Sequence, residues 1–223
     1  PWGLGRPAWH IECSAMTKKH LGETIDIHAG GTDLIFPHHE NEIAQSECCN
    51  GKPYVNFWLH IGMLMIQQQK MSKSLGNFAT IRDLTAAYHP ELIRMFILSS
   101  HYRQTADYSK EAIVQSGDRL DRIYGALEKY HQQYSQGISE EAIDNVLWNK
   151  CEQSFLQALC DDLNTPEAIA VLFDLTRKLN SSLDDFSKAN TLCAVIIRCG
   201  EILGLLQSPP LEWFKHPRIK GSE

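Results

Sequence analysis

Apolar side chains recur at helical spacing through most of the second half of this sequence. In residues 111–134 they fall three, four or seven positions apart, at Ile113, Leu120, Ile123, Leu127, Tyr130 and Tyr134. A stripe with this period is typical of an amphipathic helix that buries one face. Residues 164–186 repeat the pattern, and Thr165 before Pro166 predicts the N-cap of that helix. With a third such segment at about residues 189–206, the sequence predicts a helical bundle.

The first 80 residues predict an α/β unit rather than helices alone. The stretch TIDIHAGGTDLIF (residues 24–36) predicts a strand, a glycine turn at Gly30 and Gly31, and then another element. Residues 55–66 have the β-branched and aromatic content of a buried strand or strand pair. The predicted fold class is therefore α/β, with an α-helical bundle following the α/β part.

Composition and charge exclude several classes of protein. The apolar run at residues 54–66 is interrupted by His60 and is shorter than the roughly 20 residues of a membrane helix, so we expect no membrane association. Seven cysteines without a disulfide-like spacing favour a reducing, cytoplasmic location. The net charge of −6 argues against a surface that binds nucleic acid throughout, although a local basic strip remains compatible with it. No signal-peptide pattern is visible. Because the first residue is Pro1 rather than methionine, we expect the chain to be part of a longer protein.

One group of residues is typical of a metal site. His38 and Glu42 are four positions apart, so both side chains lie on one face if Pro37 opens a helix. Cys13 is a candidate third ligand, because zinc accepts sulfur, imidazole nitrogen and carboxylate oxygen together. A metal held by three protein ligands can also bind a substrate thiol. The alternative is a solvated histidine pair at a helix start, with Cys13 buried and inert.

The stretch KMSKSLGNF (residues 70–78) is a candidate phosphate-binding loop. It places Lys70, Ser72 and Lys73 on a segment closed by Gly76, and ammonium groups so placed can stabilise a leaving pyrophosphate. The alternative is a solvated surface turn. Upstream, Asp33 follows the glycine pair and is a candidate for binding ribose hydroxyls, or else it is a simple helix cap.

Three motifs together resemble the cysteinyl-tRNA synthetase family of class I aminoacyl-tRNA synthetases. They are GRPAWHIECSAM (residues 5–16), DIHAGGTDLIFPHHENEIAQS (residues 26–46) and KMSKSLGNF, and DDLNTPEA (residues 161–168) resembles the family's anticodon-binding bundle. The resemblance implies the second half of a Rossmann-type catalytic domain in residues 1–80, a connecting stem-contact region in residues 81–107, and an anticodon-binding bundle in residues 108–223.

The resemblance also implies roles for particular residues. Cys13, His38 and Glu42 correspond to ligands of a Zn²⁺ ion, one per subunit, that binds the substrate thiol. Lys70, Ser72, Lys73 and Asp33 correspond to ATP-binding residues, the two lysines being catalytic, and Trp9 corresponds to a residue near the amino acid. The implied substrates are L-cysteine, ATP with Mg²⁺ and tRNA(Cys), and we expect a monomer.

The family pattern is incomplete here. The fourth zinc ligand and the HIGH-type histidine motif belong to a half that these residues lack, and Ala8 and Ala29 stand where the family often has glycine. Two alternatives remain at this point. One is a related ligase that passes activated cysteine to an amino sugar, and the other is a catalytically silent, zinc-stabilised RNA-binding relative.

Overall fold

The computed structural model describes residues 3–66, 80–215 and 217–219, together with the backbone of residues 69–70. These residues form two compact units. The first contains residues up to 63 and residues 102–105, and the second contains residues 64–101 and those from 106 onward. The predicted domain boundaries at residues 80/81 and 107/108 stay predictions.

The first unit is an α/β layer built on two parallel strands. Its elements are α1 (Trp9–His20), β1 (Ile25–Gly31), two short helical turns (Thr32–Leu34 and Ile35–His39), α2 (Glu40–Asn50) and β2 (Val55–Ile61). In the register of the two strands, His28 lies beside Trp58 and Gly30 beside His60. Since side chains alternate between the faces of a strand, this register gathers the histidines and the tryptophan on one face.

The predicted glycine turn is wrong, because β1 continues through Gly31. The glycine at position 30 has a packing reason instead. A Cβ atom there would lie 2.6 Å from Cε1 of His39, so only glycine lets this imidazole lie against the strand.

The second unit begins with a small sheet of three strands, β3 (Leu64–Ile66), β4 (Gln69–Lys70) and β5 (Ala106–Tyr108). Their order in the sheet is β4, β3, β5. The prediction of a strand pair over residues 55–66 is confirmed, since β2 and β3 occupy this range and break at residues 62–63. The predicted burial of this segment is wrong, because its residues are half-buried or exposed, with Phe57 68% exposed.

Six α-helices of the described residues supply most of the hydrophobic core of this unit. They are α3 (Ile81–Ala87), α4 (Pro90–Leu98), α5 (Lys110–Gln133), α6 (Asn145–Cys160), α7 (Thr165–Asn180) and α8 (Phe186–Leu203). The predicted apolar stripes are buried in α5 up to Tyr130 and in α7 up to Leu179, while Tyr134 follows the end of α5 and is half-buried. Helix α6 was not predicted. Among the described residues, no helix is both long and apolar enough to span a bilayer.

Two details of the predicted helix at residues 164–186 are wrong. Its N-cap is Asn164, whose side chain accepts a hydrogen bond from the Glu167 amide, while the Thr165 hydroxyl donates to the Leu98 carbonyl. The helix ends at Asn180, so the later apolar positions Leu183 and Phe186 lie outside it.

A buried carboxylate joins three segments of the helical unit. Glu91 of α4 is 4% exposed and accepts hydrogen bonds from the Tyr124 hydroxyl (2.9 Å) and from the amides of Leu206 (2.8 Å) and Gln207 (3.1 Å). This carboxylate therefore ties the chain that follows α8 back to α4 and α5, and both of its oxygens have hydrogen-bond donors.

Candidate metal centre

The structure brings Cys13, His38 and Glu42 together from three elements of the first unit. Cys13 lies on α1, His38 lies in the turn before α2, and Glu42 lies in the first turn of α2. One ligand atom from each residue lies within 4.8 Å of the other two. His38 and Glu42 are both buried, and Cys13 is half-buried.

The donor atoms of this trio fit a divalent metal ion. The Glu42 Oε1 atom lies 2.6 Å from His38 Nε2 and accepts no other hydrogen bond within the described part of the chain. A buried carboxylate oxygen left in this way is costly unless it binds a cation. Ligands on a tetrahedral zinc ion lie about 3.3–3.8 Å apart, so small side-chain shifts would suffice to close the shell.

Two residues orient the carboxylate of Glu42 through its second oxygen. Oε2 lies 2.8 Å from His28 Nε2 and accepts a hydrogen bond from the Tyr54 hydroxyl at 3.2 Å. The Tyr54 hydroxyl also lies 3.1 Å from Thr17 Oγ1, and Tyr54 is 1% exposed. Because Oε2 is engaged on one side, Oε1 is directed towards Cys13 and His38. Partners of this kind raise the affinity of a metal ligand.

A second trio, formed by His28, His39 and Glu42, also has its ligand atoms within 4.8 Å. Two of its residues already have partners outside the trio, since Glu42 Oε2 accepts a hydrogen bond from the Tyr54 hydroxyl and His39 Nδ1 lies 2.9 Å from His60 Nε2. Burial lowers the pKa of His39, and the neighbouring His28 adds to this effect, so the neutral ring is favoured. We therefore assign these histidines to the layer that supports the first trio.

The electrostatics of Cys13 also suit a cation. Burial raises the pKa of its thiol, and the negative charge of Glu42 raises it further. A thiolate at this position needs a positive charge nearby. Trp9, which begins α1, lies over His38 with 4.3 Å between ring centroids and remains 59% exposed, so one face of the trio is lined by an accessible aromatic ring.

The structure describes the other predicted site residues only in part. Asp33 lies in the exposed turn Thr32–Leu34. The backbone of Lys70 ends β4, while its side chain, Ser72 and Lys73 lie outside the described residues. Their predicted roles in binding ATP stay predictions, as does the role of Trp9.

Sequence reasoning missed His28, Tyr54 and the Trp58–His60 pair. For His28, Trp58 and His60 a signal existed, because residues of the same parity on two parallel strands share a face. No local pattern marks Tyr54, which reaches Glu42 only through the tertiary fold.

Comparison with known proteins places these observations in a family. The fold is that of the class I tRNA synthetases: a solved leucyl-tRNA synthetase (LeuRS) of Agrobacterium radiobacter K84, in a ternary complex with tRNA and LeuAMS, matches 87% of this chain with a TM-score of 0.59. At 14% identity, over 29% of that chain, this likeness concerns the fold alone. The family model for the class I (C) tRNA synthetase catalytic domain matches residues 1–118, and a DALR domain model matches residues 154–207. The chain belongs to the class I (C) tRNA synthetase family.

Curated relatives agree with this assignment. Proteins named "Cysteine--tRNA ligase" from Idiomarina loihiensis and Shewanella oneidensis are each 49% identical over 216 residues, or 96% of this chain. The protein of that name from Parvibaculum lavamentivorans is 49% identical over 215 residues. The chain spans about 45% of the length of these relatives.

Proposed function

We propose that the full-length protein attaches L-cysteine to tRNA(Cys), and that an active-site zinc ion selects the substrate thiol. The observation that carries the proposal is the convergence of Cys13, His38 and Glu42 on one buried point. This convergence occurs in a chain whose relatives are named cysteine–tRNA ligases. A thiolate, an imidazole and a carboxylate form a donor set that zinc binds well.

The proposed metal centre acts in recognition. A zinc ion bound there would take the substrate sulfur as a thiolate, which serine cannot supply, since zinc prefers sulfur to a hydroxyl oxygen. His28 and Tyr54 hold the Glu42 carboxylate in place, and Trp9 lines the accessible side of His38. Recognition by coordination gives the discrimination that packing against one small side chain cannot provide.

The proposed reaction has two steps. The carboxylate oxygen of cysteine attacks the α-phosphorus of ATP, the bond to the bridging oxygen breaks, and pyrophosphate leaves. The terminal ribose hydroxyl of the tRNA then attacks the acyl carbon and loses its proton, the bond between that carbon and the phosphate oxygen breaks, and AMP leaves. Lys70 and Lys73, with Ser72, would stabilise the charge on the leaving pyrophosphate, and Asp33 would bind the ribose. Positioning and electrostatics then supply most of the rate acceleration.

The test is ATP–pyrophosphate exchange by the full-length protein with each amino acid in turn, before and after removal of zinc by a chelator. We expect exchange with cysteine alone, its loss on chelation, and its return when zinc is restored. Exchange with another amino acid, or exchange that survives complete metal removal, would contradict the proposal. Activated cysteine that does not pass to tRNA would favour the related ligase that uses an amino sugar.

A further inference from the structure

Two exposed thiols and an amine gather at the C-terminal ends of α1 and α2. Cys48 and Cys49 lie in the last turn of α2, and both are exposed. Lys18 lies in the last turn of α1, and its Nζ atom donates a hydrogen bond to Cys49 Sγ at 3.8 Å. A thiol and an amine from two helices, 31 positions apart in the sequence, are therefore direct neighbours.

Two further contacts hold the amine of Lys18 beside the end of α2. Its Nζ atom donates a hydrogen bond to Asn50 Oδ1 at 2.5 Å and lies 3.8 Å from Glu23 Oε1. The Lys18 side chain is also 47% exposed, so no close packing prevents its movement. Since lysine has a flexible four-carbon stem, rotation of the side chain can close the remaining distance to the sulfur.

The contact with Lys18 distinguishes Cys49 from the other exposed cysteines. Three of the seven cysteines are exposed, Cys48, Cys49 and Cys160, and within the described residues only Cys49 has a lysine amine in contact. Cys48 is adjacent in sequence, but consecutive residues of a helix do not face each other. A disulfide needs Cβ atoms about 3.5–4.5 Å apart, which consecutive helical residues do not offer. Lys18 is therefore the group placed to react with an oxidised Cys49.

We propose that Cys49 and Lys18 form a reversible sulfenamide cross-link between α1 and α2 when a peroxide oxidises the thiol. The Cys49 thiolate first attacks one oxygen of hydrogen peroxide, the O–O bond breaks, and hydroxide leaves. Sulfur gives up two electrons in this step and becomes a sulfenic acid. The neutral amine of Lys18 then attacks the sulfur, the S–O bond breaks, and the departing hydroxide takes a proton from the amine and leaves as water. Condensation of a sulfenic acid with nitrogen is an established reaction of cysteine.

The cross-link joins the two helices that carry ligands of the proposed metal centre. Cys13 lies on α1 and Glu42 lies on α2, and the two helices pack against each other. A covalent bond between their ends limits how far the helices can separate. It also keeps Cys49 from reaching the sulfinic acid, which thiols do not reduce. The inference goes beyond the proposed function and does not depend on it, because both reacting groups belong to this chain.

The test treats the full-length protein with hydrogen peroxide, blocks the remaining thiols, and searches for joined peptides by mass spectrometry. We expect one pair that contains Lys18 and Cys49, about 2 Da lighter than the sum of its two peptides, and its loss after treatment with a dithiol. Cys49→Ser and Lys18→Arg should each abolish this pair, although the arginine keeps the positive charge. The matched controls, Cys48→Ser and Lys19→Arg, change the neighbouring exposed residues and should leave its yield unchanged.

The variant Lys18→Arg also shows whether the amine takes part. In this variant the oxidised Cys49 should stop at the sulfenic acid, which dimedone labels, whereas the unchanged protein should lose that label as the cross-link forms. Equal labelling of Cys49 in the two proteins would overturn the proposal. A disulfide between Cys48 and Cys49 would overturn it as well, as would a Cys49 thiol that stays reduced while Cys160 is oxidised. None of these results bears on the proposed function, which cysteine-dependent ATP–pyrophosphate exchange tests separately.

Discussion

Replacing Tyr54 with Phe should weaken zinc binding without unfolding the first unit. The change removes one oxygen atom from a residue that is 1% exposed, and the ring keeps its packing. It also removes the 3.2 Å hydrogen bond to Glu42 Oε2, which leaves His28 as the remaining partner of that atom. The Glu42 carboxylate then gains freedom to rotate away from Cys13 and His38.

The size of the effect follows from the charge of the acceptor. A hydrogen bond to a charged group contributes about 1.5–3 kcal/mol. If most of that energy serves to orient the carboxylate, zinc affinity should fall about 10- to 100-fold, the range found when the partner of a metal ligand is removed. The assay is competition for zinc between the full-length protein and a chelator of known affinity at pH 7.

Tyr130→Phe is the matched control for this measurement. Tyr130 is also fully buried, and its hydroxyl lies 2.8 Å from Asn190 Oδ1 and 3.1 Å from the Gly137 carbonyl oxygen, but it belongs to the helical unit. Loss of the Tyr130 hydroxyl should lower the free energy of unfolding by about 1 kcal/mol and leave the zinc affinity unchanged. Unchanged zinc affinity in the Tyr54→Phe variant would refute the idea that Tyr54 orients Glu42.

Four further predictions follow from the same structure. Cys13→Ser should remove most of the bound zinc and weaken cysteine binding with it, whereas unchanged zinc content by elemental analysis would exclude Cys13 as a ligand. Lys73→Ala should slow pyrophosphate exchange about 100-fold or more with little change in cysteine affinity; a normal rate would remove the role proposed for this lysine. Glu91→Ala should lower the free energy of unfolding in urea by at least about 3 kcal/mol, because three donors, two of them buried, lose their acceptor, and a loss below about 1 kcal/mol would contradict this. Burial raises the pKa of Cys193 from 9.0 to about 12, so the neutral thiol is favoured in the fold and the free energy of unfolding should fall as the pH rises through that interval. The Cys193→Ala variant should lose less stability over the same pH range, and an equal loss would contradict the role of this thiol.

The sequence by itself determined the class of fold and most of the helical unit. Stripes such as Ile113, Leu120 and Ile123 predict which face of a helix is buried, because a 3.6-residue period leaves little choice of geometry. The sequence failed where the signal was local and ambiguous. Thr165 is a good N-cap residue by type, but in the structure Asn164 accepts the hydrogen bond from the Glu167 amide, while the Thr165 hydroxyl donates to the Leu98 carbonyl. The pair Gly30–Gly31 suggests a turn until the packing of His39 gives another reason for glycine.

The site shows the same division. The spacing of His38 and Glu42 predicts a shared face, and the structure places Cys13 beside them, while their role as zinc ligands stays a prediction. Only the tertiary structure decided which oxygen of Glu42 faces Cys13 and His38. The other oxygen is contacted by His28, on β1, and by Tyr54, in the loop before β2. The physical reason is that a helical period constrains neighbours three or four positions apart, whereas contacts across strands and helices depend on how whole elements pack.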